Sequence, residues 1–158
     1  MLVVADASVL VAELLRQRGR ALLTQPGLRI VVSEDQWDET EHELTRRLAL
    51  ITEQGRITAD QANALNEAVV ALIADRVIEI IPRSTYEHLK ATAQRRVPRD
   101  PHDWAPVALA LALDAAILTG DGDFLGCGIP TWTVDTLRAE LTSTDTSHPS
   151  PRADQGEV

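Results

Sequence analysis

The stretch that most constrains this chain is residues 100–124, DPHDWAPVALALALDAAILTGDGDF. Asp100 is placed to cap a helix, and Pro101 suits its first position, where the missing N–H has no helical partner to lose. Asp103 falls in the first turn, where the macrodipole favours negative charge. Val107–Leu113 is nearly all apolar, as in a helix packed against a sheet. Ala115–Thr119 then reads as a short central strand. Asp121 and Asp123 follow at once, beside Gly120 and Gly122, which suit a turn with positive φ. Each acid alone has an ordinary explanation as a cap or turn residue. Acids at both a helix start and a strand end fit that explanation less well, because open α/β sheets bind ligands at the carboxyl ends of their strands.

The remaining chain supplies the other strands. Leu2–Ala5 is a short apolar strand ending at Asp6, and Ser8 is expected to cap a helix carrying Val9, Leu10, Leu14 and Leu15. Leu28–Val32 reads as the second strand. Ser33 with Gln36 has capping-box spacing, and its helix is expected to stop at Gly55. Thr58 with Gln61 repeats the box before a helix whose apolar face is Ala62, Leu65, Val69 and Leu72. Val77–Ile81 is a strand closed by Pro82. Ser84 with Glu87 predicts a third box and a helix ending near Arg96. A short strand over 131–133 and a helix over 135–141 complete one domain spanning residues 1–141. Residues 142–158, TSTDTSHPSPRADQGEV, lack apolar periodicity and are expected to be a disordered tail. Strands alternating with helices predict a parallel sheet covered on both faces.

The formal net charge is −9, from 24 acidic and 15 basic side chains. That balance is not the footprint of an electrostatic nucleic-acid binder, although bound cations reverse the field of an acidic cleft. Lys90 is the sole lysine; every other basic residue is Arg, which pairs bidentately with phosphate. The single cysteine, Cys127, excludes an intramolecular disulfide and a thiolate metal cluster. MLVVADAS carries no charged leader, and no run approaches the roughly 18 apolar residues of a membrane span. The expectation is a cytoplasmic protein.

The order D-x-x-D-W, ALALAL, strand, T-G-D-x-D-F resembles PIN-domain nucleases, including VapC-type toxins. The resemblance runs from Val3 to about Leu141 and takes in Asp6-Ala7-Ser8, a strand-end acid followed by a hydroxyl residue. It implies a three-layer α/β/α fold with about five parallel strands in the order 3-2-1-4-5, and the strand before Asp6 beside the strand before Asp121. It also implies RNA cleavage dependent on Mg²⁺ or Mn²⁺, with Asp6, Glu39, Asp103 and Asp121 as catalytic acids and metal ligands and Asp123 alongside. These carboxyls are expected to converge within a few Å and, without cation, to raise at least one pKa. Ser8 and Thr119 fall where supporting hydroxyls belong.

The acid on the second helix is ambiguous. The family pattern S-E-x-x-x-x-E lands on Ser33, Glu34 and Glu39, whereas Glu43, one turn later, points from much the same face. The apolar stripe Trp37, Leu44, Leu48 and Ile51 instead puts Glu41 nearest the core side. Glu39 ranks first, Glu43 next, and Glu41 reads as solvated. Arg95, Arg96 and Arg99 are candidates to hold an RNA backbone, with a plain solvated cluster as the alternative. His42, His88, His102 and His148 show no metal-ligand spacing.

Two phosphoaspartyl classes are disfavoured: a phosphatase wants D-x-D where this chain has Asp6-Ala7-Ser8, and a receiver wants a lysine after a late strand. A catalytically silent scaffold and a housekeeping RNA-processing nuclease stay as alternatives. The expected partners are RNA and a small VapB-like antitoxin; a homodimer is left open.

Overall fold

The computed structural model describes residues 1–145. Five strands form one parallel sheet: β1 (Leu2–Ala5), β2 (Arg29–Ser33), β3 (Ile78–Ile81), β4 (Ala116–Leu118) and β5 (Thr131–Trp132), in the order β3-β2-β1-β4-β5. β1 is central, with Val3 opposite both Ile30 and Ala116. The expected three-layer architecture and strand order are therefore observed, and every strand delivers its carboxyl end to the same edge.

Alternation along the strands separates two cores. Val3, Ala5, Ile30, Val32 and Leu118 face one side, packing with Leu10, Leu14, Leu44 and Leu48. Those leucines come from α1 (Ala7–Leu14) and α3 (Glu34–Glu53). α2 (Gln17–Leu23), α4 (Ala59–Ala74) and α7 (Val134–Asp145) also send Leu23, Val69 and Leu137 to this side. Val4, Val31 and Ile117 face the other side, against Val107 and Leu109 of α6 (Trp104–Leu113) and Ala93 of α5 (Lys90–Arg96). Ile117 is fully buried, so truncation to Ala there costs about 2–5 kcal/mol.

Local signals account for most helix boundaries. Thr58 and Gln61 close a reciprocal capping box, and Gly55 ends α3 in the left-handed region at φ +68°. α6 is buried from Trp104 to Ala110 and ends at Asp114, whose φ of +50° a short acid tolerates better than most residues. Pro106 lies in the first turn, where no helical N–H is lost.

Several expectations need correction. α2 was not expected; it crosses α1 closely enough that a Cβ on Gly19 would meet the Glu13 carbonyl oxygen at 2.3 Å. Ser8 lies inside α1 instead of capping it. Asp100 caps the segment as expected, its side chain accepting the His102 N–H, but the first turn, Pro101–Asp103, which contains Asp103, is 3-10, and α6 itself begins at Trp104. The predicted Ser84–Glu87 helix is split into 3-10 turns at Arg83–Thr85 and Glu87–Leu89, because Tyr86 between them turns inward to full burial. Gly120 and Gly122 do not adopt positive φ; in this loop Gly126 and Gly128 do. Residues 142–145, expected to belong to the tail, continue α7 instead, and the rest of the expected tail lies outside the described residues. Among the described residues, no helix is long and apolar enough to cross a membrane.

Candidate metal centre

The site is built at the carboxyl edge where β1 and β4 lie side by side. Asp6 leaves β1 directly, its N–H bonded to the Leu118 carbonyl of β4 at 3.0 Å. It is 7% exposed, the most buried acid of the site. Two hydroxyls donate to its Oδ2, Ser8 at 2.5 Å and Thr119 at 3.4 Å. Thr119 Oγ1 in turn accepts the Asp121 N–H at 3.0 Å. Both residues expected to support the site therefore touch Asp6, and Thr119 ties it to the turn that carries Asp121.

That turn is pinned from several directions. Asp121 Oδ1 accepts the Asp123 N–H at 2.8 Å, and Phe124 is buried beneath it. Asp123 pairs with Arg99, at 3.1 Å. Arg96 donates to the Cys127 carbonyl at 3.1 Å, and Arg95 to Thr92. All three members of the arginine cluster thus have partners within the chain.

The second-helix acid separates cleanly into two environments. Gln36 Nε2 reaches Glu39 Oε2 at 3.3 Å. Glu43 instead accepts from Arg46 at 2.8 Å through two nitrogens and from Arg47 at 2.6 Å. Those hydrogen bonds, Arg46 first, lower the Glu43 pKa to about 2. Glu43 is paired with arginines, whereas Glu39, itself exposed, is held by Gln36 and feels the Asp6 charge. Glu41 lies by the groove between α3 and α4, beside Trp37 and Leu44, away from these acids.

The electrostatics couple the four acids. Desolvation raises the Asp6 pKa most; hydrogen bonds from Ser8, Thr119 and the Ala7 backbone oppose it, and the Asp121 charge adds to it. Glu39 is raised by desolvation and then by Asp6. Asp103 is raised to about 6, by desolvation first and then by Asp100, Asp6, Asp121 and Glu39. Burial and the neighbouring acids thus push in the direction expected of crowded carboxylates. The tight cluster within a few Å is not seen: among the described residues, no three acidic, histidine or cysteine side chains are gathered into a metal-holding group.

One participant was missed in the sequence. Gln36 is 5% exposed, and its Oε1 accepts the Ala7 N–H at 2.8 Å. A backbone N–H only donates, so this bond fixes the amide orientation and directs Nε2 as a donor toward Glu39. A neutral side chain thereby links the peptide after Asp6 to the acid of α3. The capping-box spacing disguised this role: Ser33 does accept the Gln36 N–H at 3.2 Å, but the Gln36 side chain serves Ala7 instead.

The sequence matches the family model for the PIN domain over residues 4–142. No curated protein matches it. Among solved structures, it is similar to the crystal structure of PAE2754 from Pyrobaculum aerophilum, with 17% identity and a TM-score of 0.59 over 90% of each chain. At that identity the likeness is one of fold.

Proposed function

This chain belongs to the PIN domain family, and on that premise we propose that it is a divalent-metal-dependent endoribonuclease, the toxin of a VapBC-type toxin–antitoxin pair. PIN domains are generally nucleases. The observation that carries the reading is the placement of Asp6 and Asp121 after the adjacent strands β1 and β4, joined through Thr119, with Glu39 and Asp103 within reach of the Asp6 charge. Gathering like charges opposes folding, and a cation among them offsets that repulsion.

The donor set fits Mg²⁺ or Mn²⁺, since it is made of hard carboxylate oxygens with no thiolate among them. Asp6, Glu39, Asp103 and Asp121 would hold the ion, with Asp123 at the margin and Glu43 kept by its arginines. When bound, such an ion stabilises charge developing on a phosphodiester and lowers the pKa of the attacking water. The chain's own residues supply orientation. Ser8 and Thr119 both use Asp6 Oδ2, which leaves Oδ1 uncommitted to either hydroxyl. Thr119 fixes the turn of Asp121, and Gln36 holds Glu39.

The acidic balance suits a basic antitoxin segment. An arginine laid among these acids would pair bidentately with groups that otherwise hold metal.

The test is cleavage of single-stranded RNA by purified protein. Internal cuts should require Mg²⁺ or Mn²⁺ and stop with EDTA. Asp6→Asn keeps the side-chain shape, so it should abolish cutting with the melting curve intact; full cutting by this folded variant refutes the assignment. In cells, overexpression should halt growth, the adjacent small gene should rescue it, and Asp103→Asn should relieve it. Unimpaired growth with abundant soluble wild-type protein favours a housekeeping RNA-processing nuclease or a silent scaffold.

A further inference from the structure

An acidic site that cuts RNA must hold flanking phosphates that its own carboxylates repel. Two cations stand ready on the side of the site away from Asp121. Arg83 follows β3, and β3 is two strands from β1 in the sheet, so its carboxyl end lies about 10 Å from that of β1 along the same edge. Its guanidinium is held by Asp35, through Nε at 3.2 Å and through Nη2. Asp35 is held in turn by the hydroxyl of buried Tyr86 at 2.6 Å. The Arg83 backbone N–H donates to Glu34 at 2.9 Å, and its guanidinium lies 5.6 Å from the centre of the Trp104 ring. Lys90, the sole lysine, lies 4.9 Å from the same ring, and among the described residues no carboxylate pairs with it. Trp104 directly follows Asp103, so both cations rest on the residue next to a site acid.

This arrangement differs from an ordinary solvated charge. The Arg83 side chain is still 51% exposed, yet its conformation is fixed from two sides. Asp35 engages Nε and Nη2 and leaves Nη1, which makes no hydrogen bond among the described residues, although the Glu87 charge is also felt at this guanidinium. Little further side-chain entropy is lost when such a group binds a ligand. Cation–π contact holds Lys90 near the same point without neutralising it.

We infer that Arg83 and Lys90 form a binding rim for the phosphodiester backbone of single-stranded RNA, on the β3 side of the metal centre. The inference rests on the ribonuclease reading and names where the substrate's flanking phosphates lie. It moves backbone contact from Arg95, Arg96 and Arg99 to a pair that sequence spacing did not bring together.

The test is the salt dependence of RNA binding by the Asp6→Asn protein, read by fluorescence anisotropy with a labelled single-stranded oligonucleotide. Each phosphate contact on a single strand contributes a slope of about −0.7 in log affinity against log salt. Arg83→Gln with Lys90→Gln should therefore flatten the slope by about 1.4, and Lys90→Gln alone by about 0.7. Arg95→Gln with Arg99→Gln changes net charge equally and should leave the slope nearly unchanged. Equal flattening by both pairs, or none by Arg83→Gln with Lys90→Gln, overturns the rim while leaving the nuclease reading intact. Lys90→Gln, which breaks no hydrogen bond, decides the matter if the double variant folds poorly. Absence of RNA binding by the parent protein refutes the rim and the RNA substrate together.

Discussion

Glu39 and Glu43 lie one turn apart on α3 and meet opposite fields: desolvation and Asp6 raise the Glu39 pKa, whereas Arg46 and Arg47 lower that of Glu43 to about 2. Their spacing gives both much the same helix face, so the partners of each residue, and not its position, distinguish them. Glu39→Gln should lower metal-dependent cleavage at least about a hundredfold, beyond the usual range for groups that only support ligands. Glu43→Gln should leave cleavage within about twofold, since exposed ion pairs contribute little even to stability. Side-by-side rate measurements on the two variants check this.

Gln36 joins the Ala7 N–H to Glu39, so its loss should loosen the site without removing a ligand. Gln36→Met preserves length but leaves a buried N–H unpaired, costing about 1–3 kcal/mol of stability. The Mn²⁺ concentration for half-maximal cleavage should rise about 10–100-fold. A purely structural role predicts the lower melting temperature with an unchanged Mn²⁺ requirement.

Tyr86 provides a pH-dependent contribution away from the metal centre. Desolvation and then its bond to Asp35 push the phenol up to about 12. Its stability contribution is thus complete below the ordinary tyrosine value of about 10 and is lost as pH rises toward the folded value. Asp35 has the opposite sign: desolvation raises it, but Arg83 and Tyr86 outweigh that and hold it below its usual range. Its contribution is present above the ordinary carboxylate value and is lost as pH falls through the lowered one. Tyr86→Phe should cost about 1–2 kcal/mol at neutral pH and blunt the alkaline fall in melting temperature. Circular-dichroism melts from pH 7 to pH 12 provide the comparison.

What was legible in the sequence was what neighbouring residues determine. Thr58 and Gln61 made the capping box that their spacing predicts, because nothing distant competed for the Gln61 side chain. Ser33 and Gln36 have the same spacing, but Gln36 was claimed by a backbone N–H 29 residues away. Tyr86 similarly broke a locally plausible helix to reach Asp35, 51 residues earlier. α2 escaped notice because it is short and its close approach to α1 depends on Gly19 having no side chain. The strand-end acids were recognisable because the sheet order brings β1 and β4 together, and the resemblance supplied that order.

The central claim is that Asp6, Glu39, Asp103 and Asp121 hold one catalytic cation site. Soaking crystals in Mn²⁺ and collecting anomalous diffraction tests it most directly. The account predicts a peak among these four side chains, with carboxylate oxygens drawn in to about 2.0–2.6 Å. A peak elsewhere on the protein, or these carboxylates still apart in a crystal saturated with Mn²⁺, would contradict it.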